Sequence, residues 1–315
     1  MSKSLREFLK KSREKKVYID QGNDPDSFQE LVSIDPLPKE KSIQHIPGKA
    51  DQCFILVPDV HSYQRDVVAF NLFMKALPLI NKAYNVTKFV QLGDLLECGE
   101  FSSHPVTSVH ERIPDYIEEV RWALDEFWKP AMDEFTNANF YALIGNHEDR
   151  INKWLGNRIG RNALATQIYN EYMPMDLYKS MGIHVTPHGR EDVREGIMEL
   201  FPNLFCLHGW SIAKNAAKAH SDIVTGAQSL IFGHTHRAQS DIRRNPITNE
   251  YIRSASFGSL ARPAMLWHNG KPTDHTLGFG LAFTYGKQFM VVHVPIMMDD
   301  DKRILMLPNG DVLEG

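Results

Sequence analysis

Short, unbroken apolar runs alternate along this chain with longer segments whose apolar residues recur every three or four positions. Phe54-Ile55-Leu56-Val57, Lys88 to Leu92, Phe140-Tyr141-Ala142-Leu143-Ile144, Leu204-Phe205-Cys206-Leu207 and Ser229-Leu230-Ile231-Phe232 have the length and make-up of buried strands. Between the first two, Arg65 to Tyr84 carries Val68, Leu72, Phe73, Ala76, Leu77 and Ile80 at helical spacing, with Pro78 predicted to kink or end the helix. Further helices are predicted over Pro114 to Phe135, Asp149 to Leu155, Ala163 to Met181 and Ile212 to Val224. Strand, helix, strand is the unit from which parallel sheets are built.

From about Gln239 the pattern turns β-rich, through Asp241 to Arg244, a turn at Asn245-Pro246, Tyr251 to Phe257, Gly278 to Tyr285 and Gln288 to Pro295. Tyr285-Gly286-Lys287 reads as the turn of a hairpin joining the last two. These late strands are expected to form a second, mixed or antiparallel sheet packed on the first. The predicted architecture is α/β, a layered αββα sandwich of two mixed β-sheets flanked by helices over residues 49–300. Residues 1–48 read as a basic N-terminal arm followed by a polar connector, and residues 301–315 as a C-terminal tail.

Each of the five early strands stops on a cluster of Asp, His or Asn: Asp59-Val60-His61, Gly93-Asp94, Gly145-Asn146-His147-Glu148, His208-Gly209 and Gly233-His234-Thr235-His236. Open α/β sheets bind their ligands at the carboxyl ends of parallel strands. Asp59 and His61, two apart in an extended ending, point to the same side. Carboxylate, imidazole and amide oxygen donors in this number exceed what one metal ion with open positions needs, but suit two ions sharing a carboxylate. Without cysteine among the donors, Mn²⁺, Fe or Zn²⁺ fit and copper(I) does not.

Composition narrows the setting. With 315 residues, 43% of them hydrophobic, the chain can bury a full core. No apolar run approaches the roughly 18 residues of a membrane helix, and no apolar stretch follows the basic start as in a secretory leader. Cys53, Cys98 and Cys206 are scattered, so a reducing, cytoplasmic setting is expected. A net charge of -4 argues against a chain coated with positive charge for nucleic acid, although local basic patches remain open to a polyanion.

The five endings, in their order and strand-end placement, resemble the motifs of the calcineurin-like metallophosphoesterase superfamily, and the Gly-Asn-His-Glu-Asp-Arg run is similar to members from bacteriophages and bacteria. The resemblance implies that Asp59, His61, Asp94 and His236 hold one divalent ion and Asp94, Asn146, His208 and His234 the other, with Mn most expected and Fe or Zn as alternatives. It implies hydrolysis of a phosphate ester by a metal-bridging hydroxide, with His147 as general acid. Many relatives continue the second motif as Gly-Asp-x-x-Asp to orient that histidine; here Glu97 stands in the last position. Arg150 and His104 are candidates to contact substrate phosphate, the alternative for Arg150 being a helix-surface salt bridge.

The expected activity is a phosphodiesterase acting on nucleic acid or nucleotides. A phosphomonoesterase is the alternative, and a non-catalytic metal-binding scaffold a third. Ser/Thr phosphatases carry Asp-Arg-Gly after the second motif, where this chain reads Glu97-Cys98-Gly99. Membrane association is not expected, and the sequence is silent on oligomeric state.

Overall fold

The computed structural model describes residues 50–103, 115–189, 192–223, 228–245, 249–265, 271–299 and 302–315. The arm and connector expected over residues 1–48 lie outside the described residues, as does His104.

Four parallel strands, β1 (Gln52–Val57), β2 (Val86–Gln91), β3 (Asn139–Leu143) and β4 (His184–Thr186), form one half of the larger sheet. The other half is antiparallel: β10 (Gly278–Tyr285), β11 (Gln288–Asp299), β12 (Lys302–Met306) and β13 (Val312–Glu314). The order is β13-β12-β11-β10-β1-β2-β3-β4. The smaller sheet comprises β5 (Met198–Phe201), β6 (Leu204–Leu207), β7 (Ser229–Phe232), β8 (Ala238–Arg244) and β9 (Tyr251–Phe257), in the order β5-β6-β7-β9-β8.

The alternation along β1 shows how the layers are set. Phe54 and Leu56 point into an apolar layer shared with Leu204, Cys206, Ile231 and Phe257 of the smaller sheet. Cys53, Ile55 and Val57 point the other way, into a core with Phe73 and Leu77. A strand buried on both faces must be apolar at every position, which is why it reads as a continuous run. Helix α1 (Val67–Ala83) supplies Phe73 and Leu77, and its N-terminus is capped by Asp66, whose side chain accepts from Ala69 N. On the outer face of the smaller sheet, Ala216 and Ala217 of α7 (Ala216–Ile223) pack on Leu230 and Phe232.

Several expectations are corrected. The sheets do not divide at Gln239: β6 and β7 join β8 and β9 in the smaller sheet, while the β10–β11 hairpin returns to pair antiparallel with β1, Ile55 opposite Leu281. Hydrophobic period identifies a strand but not its neighbour. Residues 302–314, read as part of a tail, extend the larger sheet, with Leu305 and Leu307 buried in the layer that holds Leu72. Pro78 does not end α1, because it faces solvent while Leu77 and Ile80 on either side are buried and hold the helix to the sheet. The helix expected over Asp149 to Leu155 is α4 (Asp149–Leu155), and the one expected over Ala163 to Met181 is two, α5 (Ala163–Glu171) and α6 (Pro174–Ser180). Pro174 opens α6 and holds Met173 extended at ψ 123, which a continuous helix cannot accommodate. The expected Pro114 to Phe135 helix is described from Tyr116 as α2 (Tyr116–Trp122), a π-helical stretch (Ala123–Trp128) and α3 (Lys129–Glu134).

Candidate metal centre

The seven proposed donors come from the carboxyl ends of β1, β2 and β3 in one sheet and β6 and β7 in the other, not from a single sheet edge. They nevertheless converge. His61, Asp94, His234 and His236 have φ of 55, 54, 69 and 53°, in the left-handed region that costs a side-chain-bearing residue on the order of 1 kcal/mol or more. Four such residues in one cluster mean that the chain is bent sharply after β1, β2 and β7 to turn a donor inward. The glycines make room for it. A Cβ on Gly145 would lie 2.0 Å from Asp94 Oδ1, and one on Gly93, at φ 97°, would lie 2.4 Å from His208 Nδ1.

Asp94 sits at the middle. Its Oδ2 is 3.2 Å from His208 Nε2 and 3.8 Å from His61 Nε2. On one side, His236 Nε2 approaches Asp59 Oδ2 at 3.2 Å and His61 Nε2 at 2.9 Å. On the other, Asn146 Oδ1 lies 3.0 Å from His208 Nε2 and 2.8 Å from His234 Nδ1. Asp59, His61 and His236, and separately Asp94, His208 and His234, each bring a ligand atom within 4.8 Å of the others. Both groups could hold a cation.

The donor chemistry fits that use. His208 donates its Nδ1–H to Leu92 O at 2.9 Å, and His61 donates Nδ1–H to Glu97 Oε2 at 2.7 Å, so each turns its Nε2 into the cluster. Burial holds His61 and His234 below the ordinary histidine value, His234 down to about 4, so both are neutral as ligands must be. For His208 burial opposes the charge, but Asp94 beside it overrides and pushes its pKa up to about 10. The field around Asp94 thus draws positive charge, and two imidazole nitrogens 2.9 Å apart are stable neighbours only with a proton or cation between them.

Beside the donors lies a second constellation. His147 Nδ1 is 3.0 Å from Glu97 O and 3.2 Å from Glu97 Oε1. Arg150 NH2 is 2.9 Å from His147 Nε2, while its NH1 donates to Glu97 O at 3.0 Å. Arg150 is therefore turned into the site, on a side chain 17% exposed, and is not a helix-surface ion pair. Burial disfavours charge on His147, yet Asp94 and Glu97 outweigh it and raise its pKa above the usual value. Glu97 itself, pushed up by burial, is held down to about 2 by His147 and His61.

Two buried acids that the sequence reading left without a role hold this arrangement together. Glu148 accepts from the backbone N–H of Asp94, Leu96 and Gly145, lacing the loop after β2 to the loop after β3. Glu119, on α2, accepts from Ser62 Oγ at 2.8 Å and from the N–H groups of Glu97 and Cys98 at 3.0 and 3.1 Å. An acid at 119 on the same helix face as Tyr116, Val120 and Ala123 is the signal that could have found it. The cluster opens to a cavity of about 690 Å³, whose wall includes Asp94, Asn146, His147, Arg150, Arg237 and His275. Arg237, also missed, is fixed by Asp274 Oδ2 at 3.3 Å and Ala213 O at 2.8 Å.

Fold and donors together define a metal-binding α/β sandwich. The model of the Calcineurin-like phosphoesterase family matches residues 54–238, from β1 through the last His-rich ending. That is more than half of the 315 residues, and the chain belongs to the calcineurin-like phosphoesterase family, which implies binding of divalent metal. No curated protein matches the sequence. Among solved structures, Vps29 of Chaetomium thermophilum is similar over 84% of this chain and 95% of its own, at 10% identity and a TM-score of 0.36, a likeness too low to bear on function. Among the described residues, no helix is long and apolar enough to cross a membrane.

Proposed function

We propose that this protein hydrolyses phosphate esters with two divalent ions, one held by Asp59, His61, Asp94 and His236 and the other by Asp94, Asn146, His208 and His234. The observation that carries this reading is the position of Asp94 Oδ2 between the two donor groups. Divalent ions bound there would supply what the bare side chains lack, a water acidified towards neutral pH and charge to offset the phosphoryl oxygens. Manganese is the proposed metal, with Fe or Zn as alternatives that the same N/O donor set accepts.

The remaining steps belong to the chain. His147 carries the proton for the leaving alkoxide on Nε2, with its Nδ1–H directed to Glu97. Before substrate arrives, that Nε2 is occupied by Arg150. An incoming phosphate draws the guanidinium onto its own oxygens, which frees Nε2 to take a proton from solvent and face the leaving group. Arg150 thereby links binding to the readiness of the acid.

The substrate we propose is a phosphodiester of the nucleotide type. A cavity of about 690 Å³ has more room than a lone phosphate needs, and Arg150 and Arg237 both line it. The Mn²⁺-loaded protein should cleave bis(4-nitrophenyl) phosphate in preference to 4-nitrophenyl phosphate, and Asp94→Asn should lose both activities. Preference for the monoester would move the assignment to a phosphatase.

A further inference from the structure

A second cavity, of about 410 Å³, is walled by His188, Val193, Leu207, His208, Gly209 and Trp210. His208 belongs to both regions: its Nε2 meets Asp94 and Asn146 while its ring lines this cavity. The chain leaving β6 runs along the boundary, since residues 207–210 line the second cavity and Ile212 lines the first. A group bound here is therefore next door to whatever is bound at the donors.

Its walls suit a flat heteroaromatic ring. Val193, Leu207 and the Trp210 indole, 37% exposed, give apolar and π surface. Trp210 is held in place: its backbone N–H donates to His220 Nε2 at 3.1 Å and its ring meets the His220 ring edge-on at 4.9 Å. His220 is in turn fixed by Nδ1–H to Ala216 O at 2.8 Å and stacked on Phe232 at 4.3 Å. This clamp keeps the indole in position before any ligand arrives, so little ordering remains to oppose binding. His188 stands in the same wall, its ring 6.2 Å from that of His208.

We propose that this cavity is a nucleobase subsite, which receives the base of a nucleotide ester against Trp210 while its phosphate lies at the Asp94 cluster. The proposal rests on the phosphoesterase reading above and names its substrate class. A free nucleotide and the end of a nucleic acid present the same base, and the test separates them.

The test is calorimetric titration of the full, Mn²⁺-loaded chain, in a His147→Ala background to slow turnover, with 5′-AMP and with ribose 5-phosphate. Stacking of a base on an aromatic side chain predicts that 5′-AMP binds about tenfold tighter, the equivalent of about 1.4 kcal/mol. Trp210→Ala should bring the two affinities together without changing that for ribose 5-phosphate. Val193→Trp, which fills the cavity from a partly exposed wall, should do the same and serves if Trp210→Ala does not fold. Equal affinity for the two ligands in the parent, or discrimination that survives both substitutions, would overturn the subsite. Failure of the phosphoesterase reading is distinct, because it removes hydrolysis and ribose 5-phosphate binding without touching the discrimination for base. With the subsite present, tighter binding of the dinucleotide d(ApA) than of 5′-AMP assigns nucleic acid as the source of the base, and the reverse a free nucleotide.

Discussion

Glu97→Gln isolates what one buried carboxylate does for two histidines. In the native protein Oε2 accepts from His61 Nδ1 at 2.7 Å, while Oε1 lies 3.2 Å from His147 Nδ1 and 3.3 Å from Arg150 NH1. The glutamine amide keeps one acceptor. The shorter contact should retain it, leaving His61 oriented, and His147 keeps the Glu97 carbonyl at 3.0 Å. What disappears is the negative charge that, with Asp94, holds the His147 pKa up. Mn²⁺ affinity should change little, whereas turnover of an alkyl ester should fall roughly 10- to 100-fold, the usual cost of losing a partner that orients a catalytic or ligating side chain. The alkaline limb of kcat against pH should move towards acid, because His147 loses its proton sooner. Glu97→Ala removes the acceptor for His61 as well, so there the metal affinity should also drop. Metal titration and pH–rate profiles on all three proteins separate these effects. An unmoved alkaline limb in Glu97→Gln, with turnover intact, would refute the assignment of Glu97 to His147.

Other consequences can be checked alongside. His147→Ala should bind metal normally and lose most turnover on alkyl esters but much less on 4-nitrophenyl esters, whose leaving group needs no proton; equal losses would take His147 out of the acid role. Glu119 is buried, and burial pushes its pKa up to about 7 against the hydrogen bonds from Ser62 and the Cys98 and Glu97 amides. A carboxyl raised in the folded state contributes stability that is complete below about pH 4.5 and is lost as pH rises through about 7. Glu119→Gln should therefore gain on the parent by up to about 3 kcal/mol between pH 4.5 and pH 7.5 in urea unfolding, and a constant difference would contradict the burial argument. Gly145→Ala should abolish metal binding or folding, since its methyl would lie 2.0 Å from Asp94 Oδ1 and 2.4 Å from Asp94 N. Near-native metal affinity in that variant would mean that the loop has slack the structure does not show.

The strand ends were legible because buried parallel strands must be apolar throughout, so the first polar residues after Val57, Leu92, Ile144, Leu207 and Phe232 stand out. Their convergence was legible too, as a chemical argument about imidazoles and carboxylates. Sheet membership was not. Whether Leu204–Leu207 pairs beside β3 or in a separate sheet depends on contacts far along the chain, and periodicity carries no information about them. The same limit hid the pairing of residues 302–314, whose short runs are indistinguishable from a tail until β11 is beside them. Glu119 and Arg237 were missed for a different reason. Each works through a partner brought near by the fold, Glu97 and Ser62 in one case and Asp274 in the other, and neither lies in a motif that announces its role. Arg150 was visible as a candidate, but its hold on His147 Nε2 was not.

The central claim is that Asp94 bridges two ions, and electron paramagnetic resonance of the Mn²⁺-loaded protein tests it most directly. Two Mn²⁺ per chain with an exchange-coupled multiline spectrum, and loss of the coupling in Asp94→Asn, is the predicted result. A single Mn²⁺ per chain, or two that give only uncoupled six-line signals, would contradict it.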